Sequence, residues 1–406
     1  MKHAFVYLKG TLFLFFIATL YGWLMRLNLV ITLPFLNYNK VLQAHSHVTF
    51  LGWAFITTTV LFNVAFLDKN VAFSRKYKWL FSIELISVGL MLVSFPWQGY
   101  NVFSIVLLSV FAITSYVYFY HFYTDFKKQK QYNLIRLFVN VAIFYYLLAM
   151  FAIWAVGAIV ATKGKGELYH NTIYFYLHFL YNGFFMFALF ALFFQYLKKQ
   201  NIVIRTKNSN LFFWFLFLAC LPSYALSLVE SSSYIVITIG FLSAIMQLVS
   251  GYYFFKFIKE LSLSLDNSIK LVLKFIVAAF TLKISLQLLS AFPVIAKELP
   301  VLKSYFVIGY IHLVTLGIIS LSLIVLLVLF NFISINKPLI KNSIYLFIIG
   351  FLGTELLLFS QGIVLGFKAI IIPRYNMLLF IFTTVLLLSI SIFILAFFKT
   401  KNRTIS

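Results

Sequence analysis

The stretch from Ser304 to Phe332, SYFVIGYIHLVTLGIISLSLIVLLVLFNF, contains no charged residue and a single histidine, His312. A helix rises about 1.5 Å per residue, so about 20 apolar residues cross the hydrocarbon layer of a bilayer. This stretch is therefore long enough to cross a membrane. The whole chain has a similar character, since 63% of its 406 residues are hydrophobic and only 10% are charged. This composition excludes an ordinary soluble globular protein and indicates a polytopic membrane protein.

Apolar runs of comparable length recur along the chain and predict twelve membrane spans. They are too long, and alternate too little, for the strands of a membrane barrel, so the sequence predicts an all-α fold. Spans 1 to 12 are predicted at residues 5–25, 42–66, 79–95, 102–122, 137–161, 171–196, 210–228, 233–255, 271–292, 304–332, 343–365 and 375–398.

The net charge of +23 is explained by its distribution between the spans. The even-numbered loops and the two termini hold twenty-one Lys and Arg residues, the odd-numbered loops hold eight, and Lys9, Lys274 and Lys283 lie inside spans. The positive-inside rule then predicts a multi-pass protein of the inner (cytoplasmic) membrane with both termini cytoplasmic. The lipid bilayer is the expected partner. Nucleic acid is not, because no soluble reader module accompanies the basic residues.

A short motif, His-x4-Gly, occurs three times at nearly equal spacing. The copies begin at His47, His178 and His312, which are 131 and 134 residues apart and lie in spans 2, 6 and 10. Equal spacing in equivalent spans indicates an internal repeat. The sequence thus predicts one transmembrane domain, 1–406, made of three four-helix repeat units at roughly 1–135, 136–268 and 269–406 in a pseudo-threefold arrangement.

These histidines are the main candidates for function, because a histidine in hydrocarbon is costly. Neutral imidazole is a ligand for iron and copper. The alternative is that each one only bonds a neighbouring helix. His45 and His47 are two residues apart, about 200° around a helix, so they face opposite ways and serve two different faces. The register of the repeat favours His47 as a metal ligand. The single cysteine, Cys220, excludes disulfides and covalent Cys-x-x-Cys-His haem attachment.

Together these features resemble subunit I of the haem-copper oxidase superfamily, whose twelve helices form three units with ligand histidines on helices 2, 6 and 10. The resemblance implies a haem whose axial ligands are His47 and His312, with His178 on the copper side. The stretch Ile372-Pro373-Arg374-Tyr375 is similar to the family's Pro-Arg stretch, which implies that Arg374 binds haem propionates. The stretch AHSHVTFLG is also similar to the start of helix 2 in NnrS-type haem- and copper-containing proteins, and His45 is a further cofactor-binding candidate there.

The chain also departs from this family. Span 7 has no histidine, span 6 has only His178 near its start, and Tyr310-Ile-His312 stands where the family has His-x-His, so a three-histidine copper site is not assembled at these positions. The resemblance therefore implies a haem protein in electron transfer or in nitric oxide or oxygen handling, with a cytochrome or quinol as electron donor. Whether copper binds stays open.

Two alternatives remain. One is an enzyme, a divergent nitric-oxide or oxygen reductase of the oxidoreductase class. The other is a haem-free secondary transporter, for which internal repeats and intramembrane charges such as Glu84, Lys283 and Glu355 are also expected. Transporters usually have broken helices, whereas spans 2, 6 and 10 contain no proline.

Overall fold

The computed structural model describes residues 2–231, 233–292, 295, 305–367 and 371–400. Within these ranges the chain is helical and contains no strand, so the prediction of an all-α fold is confirmed. Among the described residues, ten helices are long and apolar enough to cross a bilayer. They are Lys2–Asn28, Tyr38–Phe66, Arg75–Gln98, Val102–Phe126, Asn133–Lys163, Glu167–Lys199, Tyr234–Glu260, Tyr305–Leu329, Pro338–Gly366 and Tyr375–Phe398. They coincide with ten of the predicted spans, as a multi-pass membrane protein requires.

The two other predicted spans, 7 and 9, have a different character. Span 7 is broken: the helix Lys207–Cys220 is followed by the helical segment Pro222–Leu228 at an angle of 43°. Span 9 is the continuous helix Asn267–Ser290, of 24 residues, but it carries three lysines and is less apolar. Twelve membrane crossings in three four-helix units therefore stay a prediction.

The break in span 7 follows from its sequence. The helix begins at a capping box, in which the Thr206 and Ser209 side chains bond each other's backbone N–H groups. It ends after Cys220, because Pro222 has no N–H to donate and its ring clashes with the preceding turn. The last carbonyl groups of the helix are thereby left without partners inside it.

The chain forms two compact units. Unit 1 comprises residues 1–130 and 323–406, and unit 2 comprises residues 131–322. The second predicted repeat unit lies within unit 2, whereas the third contributes to both units. The single transmembrane domain and the pseudo-threefold arrangement stay predictions.

In unit 1, span 1 packs against spans 2, 3 and 12, and span 11 packs along span 12. Gly353 of span 11 lies directly against the Phe382 ring of span 12, which leaves no room for a Cβ atom. In unit 2, span 5 packs against spans 6 and 7, and span 9 contacts span 8 and the first part of span 10. Phe138 lies at the centre of an aromatic cluster there, with the Phe194 ring stacked on it and the Phe213 ring edge-on to it.

 The ring centroid of Phe138 lies 5.1 Å from that of Phe194 and 4.9 Å from that of Phe213.

Candidate histidine site

Each of the three His-x4-Gly motifs begins a π-helical segment. His47 directly precedes the π-helix Val48–Phe55, His178 precedes Phe179–Phe185, and His312 precedes Leu313–Ser320. A π-helix is rare, and it occurs most often as a single wide turn at a functional site. Three such segments at the same place in the motif support the internal repeat that the spacing predicts. No feature of the sequence other than the repeated histidine and glycine indicated them.

Two of the motif glycines, Gly52 and Gly183, allow neighbouring helices to approach closely. A Cβ atom at Gly52 would lie 2.8 Å from Cδ1 of Leu14 in span 1. A Cβ atom at Gly183 would lie 2.6 Å from Cβ of Tyr145 in span 5. Leu14 and Tyr145 are themselves 131 residues apart, which is the separation of the first two motifs. The first two repeats therefore share a helix contact as well as a motif.

His45 lies at the start of span 2, in unit 1, with its ring against span 1. Its Nδ1 atom is 2.7 Å from the Ala18 carbonyl oxygen, to which it donates, and Nε2 has no hydrogen-bond partner among the described residues. Gly22 lies beside the ring, and a Cβ atom there would be 3.1 Å from Cε1 of His45. Arg26, one turn further along span 1, is close enough to interact electrostatically with His45. The imidazole is thus oriented by a carbonyl group and keeps one nitrogen free.

His47 faces the other way, as the 200° rotation predicts, and contacts the end of span 3. Its Nδ1 atom donates to the Gln43 carbonyl oxygen at 2.8 Å, and the Tyr100 hydroxyl donates to Nε2 at 3.0 Å. The ring stacks on Phe95, with 4.7 Å between the centroids. Tyr100 is half-exposed, so its hydroxyl can turn to water. Both nitrogens of His47 are engaged, one of them by a group that a ligand can displace.

His178 lies in unit 2 and is only 1% exposed. Its Nε2 atom donates to the Cys220 carbonyl oxygen at 2.9 Å, and its Nδ1 atom accepts from the Asn182 side-chain amide at 3.3 Å. Ser223 donates to the same Cys220 oxygen at 2.9 Å. The Cys220 carbonyl is one of those left unpaired by the break in span 7. His178 therefore caps a broken helix, and Pro222 was the sequence signal for that role.

The two remaining predicted site residues are His312 and Arg374. His312 is half-buried in unit 2, and Thr315 donates to the Ile311 carbonyl oxygen beside it at 2.8 Å. Arg374 is exposed in unit 1, where it has a left-handed backbone with φ of 55° and precedes the first turn of span 12. His45, His47 and Arg374 thus belong to unit 1, and His178 and His312 belong to unit 2. Within the described part of the chain, no three His, Cys, Asp or Glu side chains form a metal-binding group.

Comparison with known proteins adds no family to this description. No protein-family model matches the chain, and no curated protein matches it.

Proposed function

We propose that the protein binds haem within the membrane and serves in electron transfer or in the handling of a diatomic gas. The observation that carries the proposal is the hydrogen bonding of the His45 ring. A metal-binding histidine usually donates one ring N–H to a carbonyl or carboxylate, which fixes the ring and leaves the other nitrogen to the metal. His45 has this arrangement, with Nδ1 on Ala18 and Nε2 free among the described residues.

The residues around His45 fit a haem as well. Gly22 lets the imidazole lie directly against span 1, because a Cβ atom there would be 3.1 Å from Cε1 of His45. Arg26 supplies a positive charge one turn away, of the kind that pairs with a propionate. The resemblance assigns the same role to Arg374. Bound haem would supply one-electron transfer or gas binding, and the protein would supply the ligand, the orientation and a dry surrounding.

The choice between the two histidines of span 2 is part of the proposal. The repeat register and the resemblance favour His47, whereas the free nitrogen favours His45. We assign the axial position to His45, because His47 must first lose its bond from Tyr100. The other axial ligand that the resemblance implies, His312, stays a prediction from the sequence. His178, with both nitrogens bonded to protein groups, supports the helix break and leaves the copper site incomplete.

A pyridine haemochrome spectrum and metal analysis of the purified protein test this proposal. We expect haem in the wild-type protein after haem-replete expression and its loss in His45→Ala. A colourless wild-type protein would overturn the proposal. Reporter fusions at Lys130 and Lys165 test the topology, because the charge distribution places them on opposite sides of the membrane, with both termini cytoplasmic. Reporters on the same side would contradict it.

A second candidate function is haem-free secondary transport, and two observations in unit 2 favour it. Span 7 is broken, as helices at transporter binding sites often are. Lys283 is buried in span 9, and its ammonium group donates to Gln247 in span 8 at 3.2 Å. Intramembrane lysines of this kind often lie on substrate or ion pathways. A colourless protein whose Lys283→Met variant loses transport in vesicles would favour this function over haem binding.

A further inference from the structure

Glu84 is a buried acid that the proposed function does not use. It lies in span 3 of unit 1, is 0% exposed, and neither of its carboxyl oxygens has a hydrogen-bond partner among the described residues. It follows the first residue of the helix by nine positions, about 14 Å along the axis, and so lies near the middle of the span. An ionised carboxylate without partners is far costlier to bury than a neutral acid. The side chain therefore carries a proton.

Tyr118 is the polar neighbour of Glu84 on span 4. The two side chains are close enough to interact electrostatically. The Tyr118 hydroxyl donates to the Thr59 carbonyl oxygen at 3.0 Å and to Oδ1 of Asn63 at 2.9 Å. These contacts hold a hydroxyl group beside an acid in an otherwise aromatic core.

Tyr77 continues the line of polar groups toward one end of the unit. Its ring meets that of Tyr118 edge-on, with 6.0 Å between the centroids. Its hydroxyl donates to Oδ2 of Asp125 at 2.9 Å. Asp125 also pairs with Lys76 at 2.6 Å and with Lys128 at 3.3 Å, and the Lys128 side chain is well exposed. The line thus ends at charged groups in contact with water.

We propose that Glu84 is a proton-binding site inside the membrane that exchanges its proton with the aqueous side at Asp125, by way of Tyr118 and Tyr77. The Tyr118 hydroxyl bonds Thr59 and Asn63 in this structure, so a transfer requires this hydroxyl to turn away from them. Its oxygen then takes the proton of Glu84, its own proton passes to the Tyr77 oxygen, and the Tyr77 proton passes to Asp125, so both phenols are unchanged afterwards. The charge of Lys76 and Lys128 keeps Asp125 ionised and able to receive the proton. The proposal does not depend on haem, and it holds for a haem protein and for a transporter alike.

Infrared spectroscopy of the full chain in detergent micelles tests this proposal at a fixed pH. A protonated carboxyl group has its own C=O stretching band, which shifts when D₂O replaces H₂O. We expect Glu84→Gln to remove one such band. Glu355→Gln then identifies the band of the other buried glutamic acid. Tyr118→Phe and Tyr77→Phe should each slow the D₂O shift of the Glu84 band at least tenfold. Tyr120→Phe is the matched control, because Tyr120 lies on the same helix as Tyr118 but is exposed.

Two results would overturn the proposal. If Glu84→Gln removes no protonated band, the acid is ionised and holds no exchangeable proton. If both tyrosine variants exchange at the wild-type rate, the line of hydroxyls is not the route.

Labelling with dicyclohexylcarbodiimide gives a second measurement that needs no tyrosine variant. The acid O–H adds across one C=N bond of the reagent, and the product rearranges to a stable N-acylurea with no leaving group. We expect mass spectrometry to find one added reagent on Glu84 in the wild-type protein and none there in Glu84→Gln. An unlabelled Glu84 in a folded wild-type protein that labels elsewhere would contradict a protonated acid.

Discussion

The start of span 2 and the start of span 6 carry the same motif and use it differently. Both have a histidine directly before a π-helix, and both have a glycine five residues later that lies against the first helix of the repeat. In span 2 the motif histidine, His47, bonds the Gln43 carbonyl and the half-exposed Tyr100 hydroxyl, and His45, two residues earlier, keeps a nitrogen free. In span 6 both nitrogens of His178 are bonded to protein groups. The motif therefore sets the geometry of the helix, and the neighbouring helix decides what the imidazole does.

The neighbouring helices differ in how each one accommodates a proline. Span 7 breaks at Pro222 and presents the Cys220 carbonyl group, which His178 and Ser223 satisfy. A buried carbonyl group without a hydrogen-bond partner raises the free energy of the folded state, so a hydrogen bond from a nearby histidine stabilises the fold. Span 3, which has the equivalent place beside span 2, contains Pro96 but stays continuous from Arg75 to Gln98, and the Leu92 carbonyl one turn before the proline accepts from the Tyr21 hydroxyl at 2.6 Å. The repeated sequence therefore does not give the histidines of the two spans the same hydrogen-bond partners.

The largest expected effect separates the two histidines directly. We expect His45→Ala to lose nearly all bound haem, because the variant removes the proposed axial ligand, whereas His178→Ala keeps it. Absorbance of the haem band per mole of protein measures both. Equal loss in the two variants would mean that the starts of spans 2 and 6 do not differ as we describe. Loss in His47→Ala but not in His45→Ala would assign the ligand to the residue that the repeat register predicts.

The next effect concerns the two glycines and is a change in stability. Gly183→Ala should lower the free energy of unfolding by about 3 kcal/mol, because the new methyl group meets the rigid Cβ of Tyr145. Gly52→Ala should cost only about 1 kcal/mol, since the flexible ends of Leu14 and Val88 can move away. Gly157→Ala is the control, because nothing lies within 4 Å of the added atom. Unfolding in detergent measures all three, and equal losses at Gly52 and Gly183 would contradict this ranking.

The role of His178 as a cap predicts a smaller effect. His178→Ala should lower the free energy of unfolding by about 1–3 kcal/mol, because Asn182 loses its acceptor and the Cys220 carbonyl keeps only Ser223. Ser223→Ala should cost less, since the same carbonyl then keeps the stronger bond from His178. Thermal unfolding of the two variants side by side measures the difference. A neutral His178→Ala would show that the helix break needs no cap.

The fold was more predictable than the site, for physical reasons. Crossing a bilayer requires long apolar runs, so ten helices could be placed from composition alone. The repeat of His47, His178 and His312 was also visible in the sequence. The π-helices were not predicted from the sequence, because no residue pattern distinguishes them from an ordinary α-helix. The bonds of His45 and His178 depend on which carbonyl groups neighbouring helices present, and only Pro222 gave a hint of that.

The smallest expected effect concerns Tyr100, which bonds Nε2 of His47. Tyr100→Phe removes one half-exposed hydrogen bond and should change the free energy of unfolding by less than about 1 kcal/mol. Haem content should stay the same if His45 is the ligand. A clear rise in haem content would show that the Tyr100 hydroxyl competes with iron for His47. Absorbance and unfolding of the same preparation measure both quantities.

The break in span 7 also has a consequence for how the protein enters the membrane during synthesis. The helix Lys207–Cys220 has 14 residues and is about 21 Å long, too short to cross a hydrocarbon layer of about 30 Å unaided. It packs closely along the next helix, Tyr234–Glu260, which has 27 residues and is long enough. We therefore expect these two segments to insert together as one helical hairpin, in which the longer helix holds the shorter helix in the lipid.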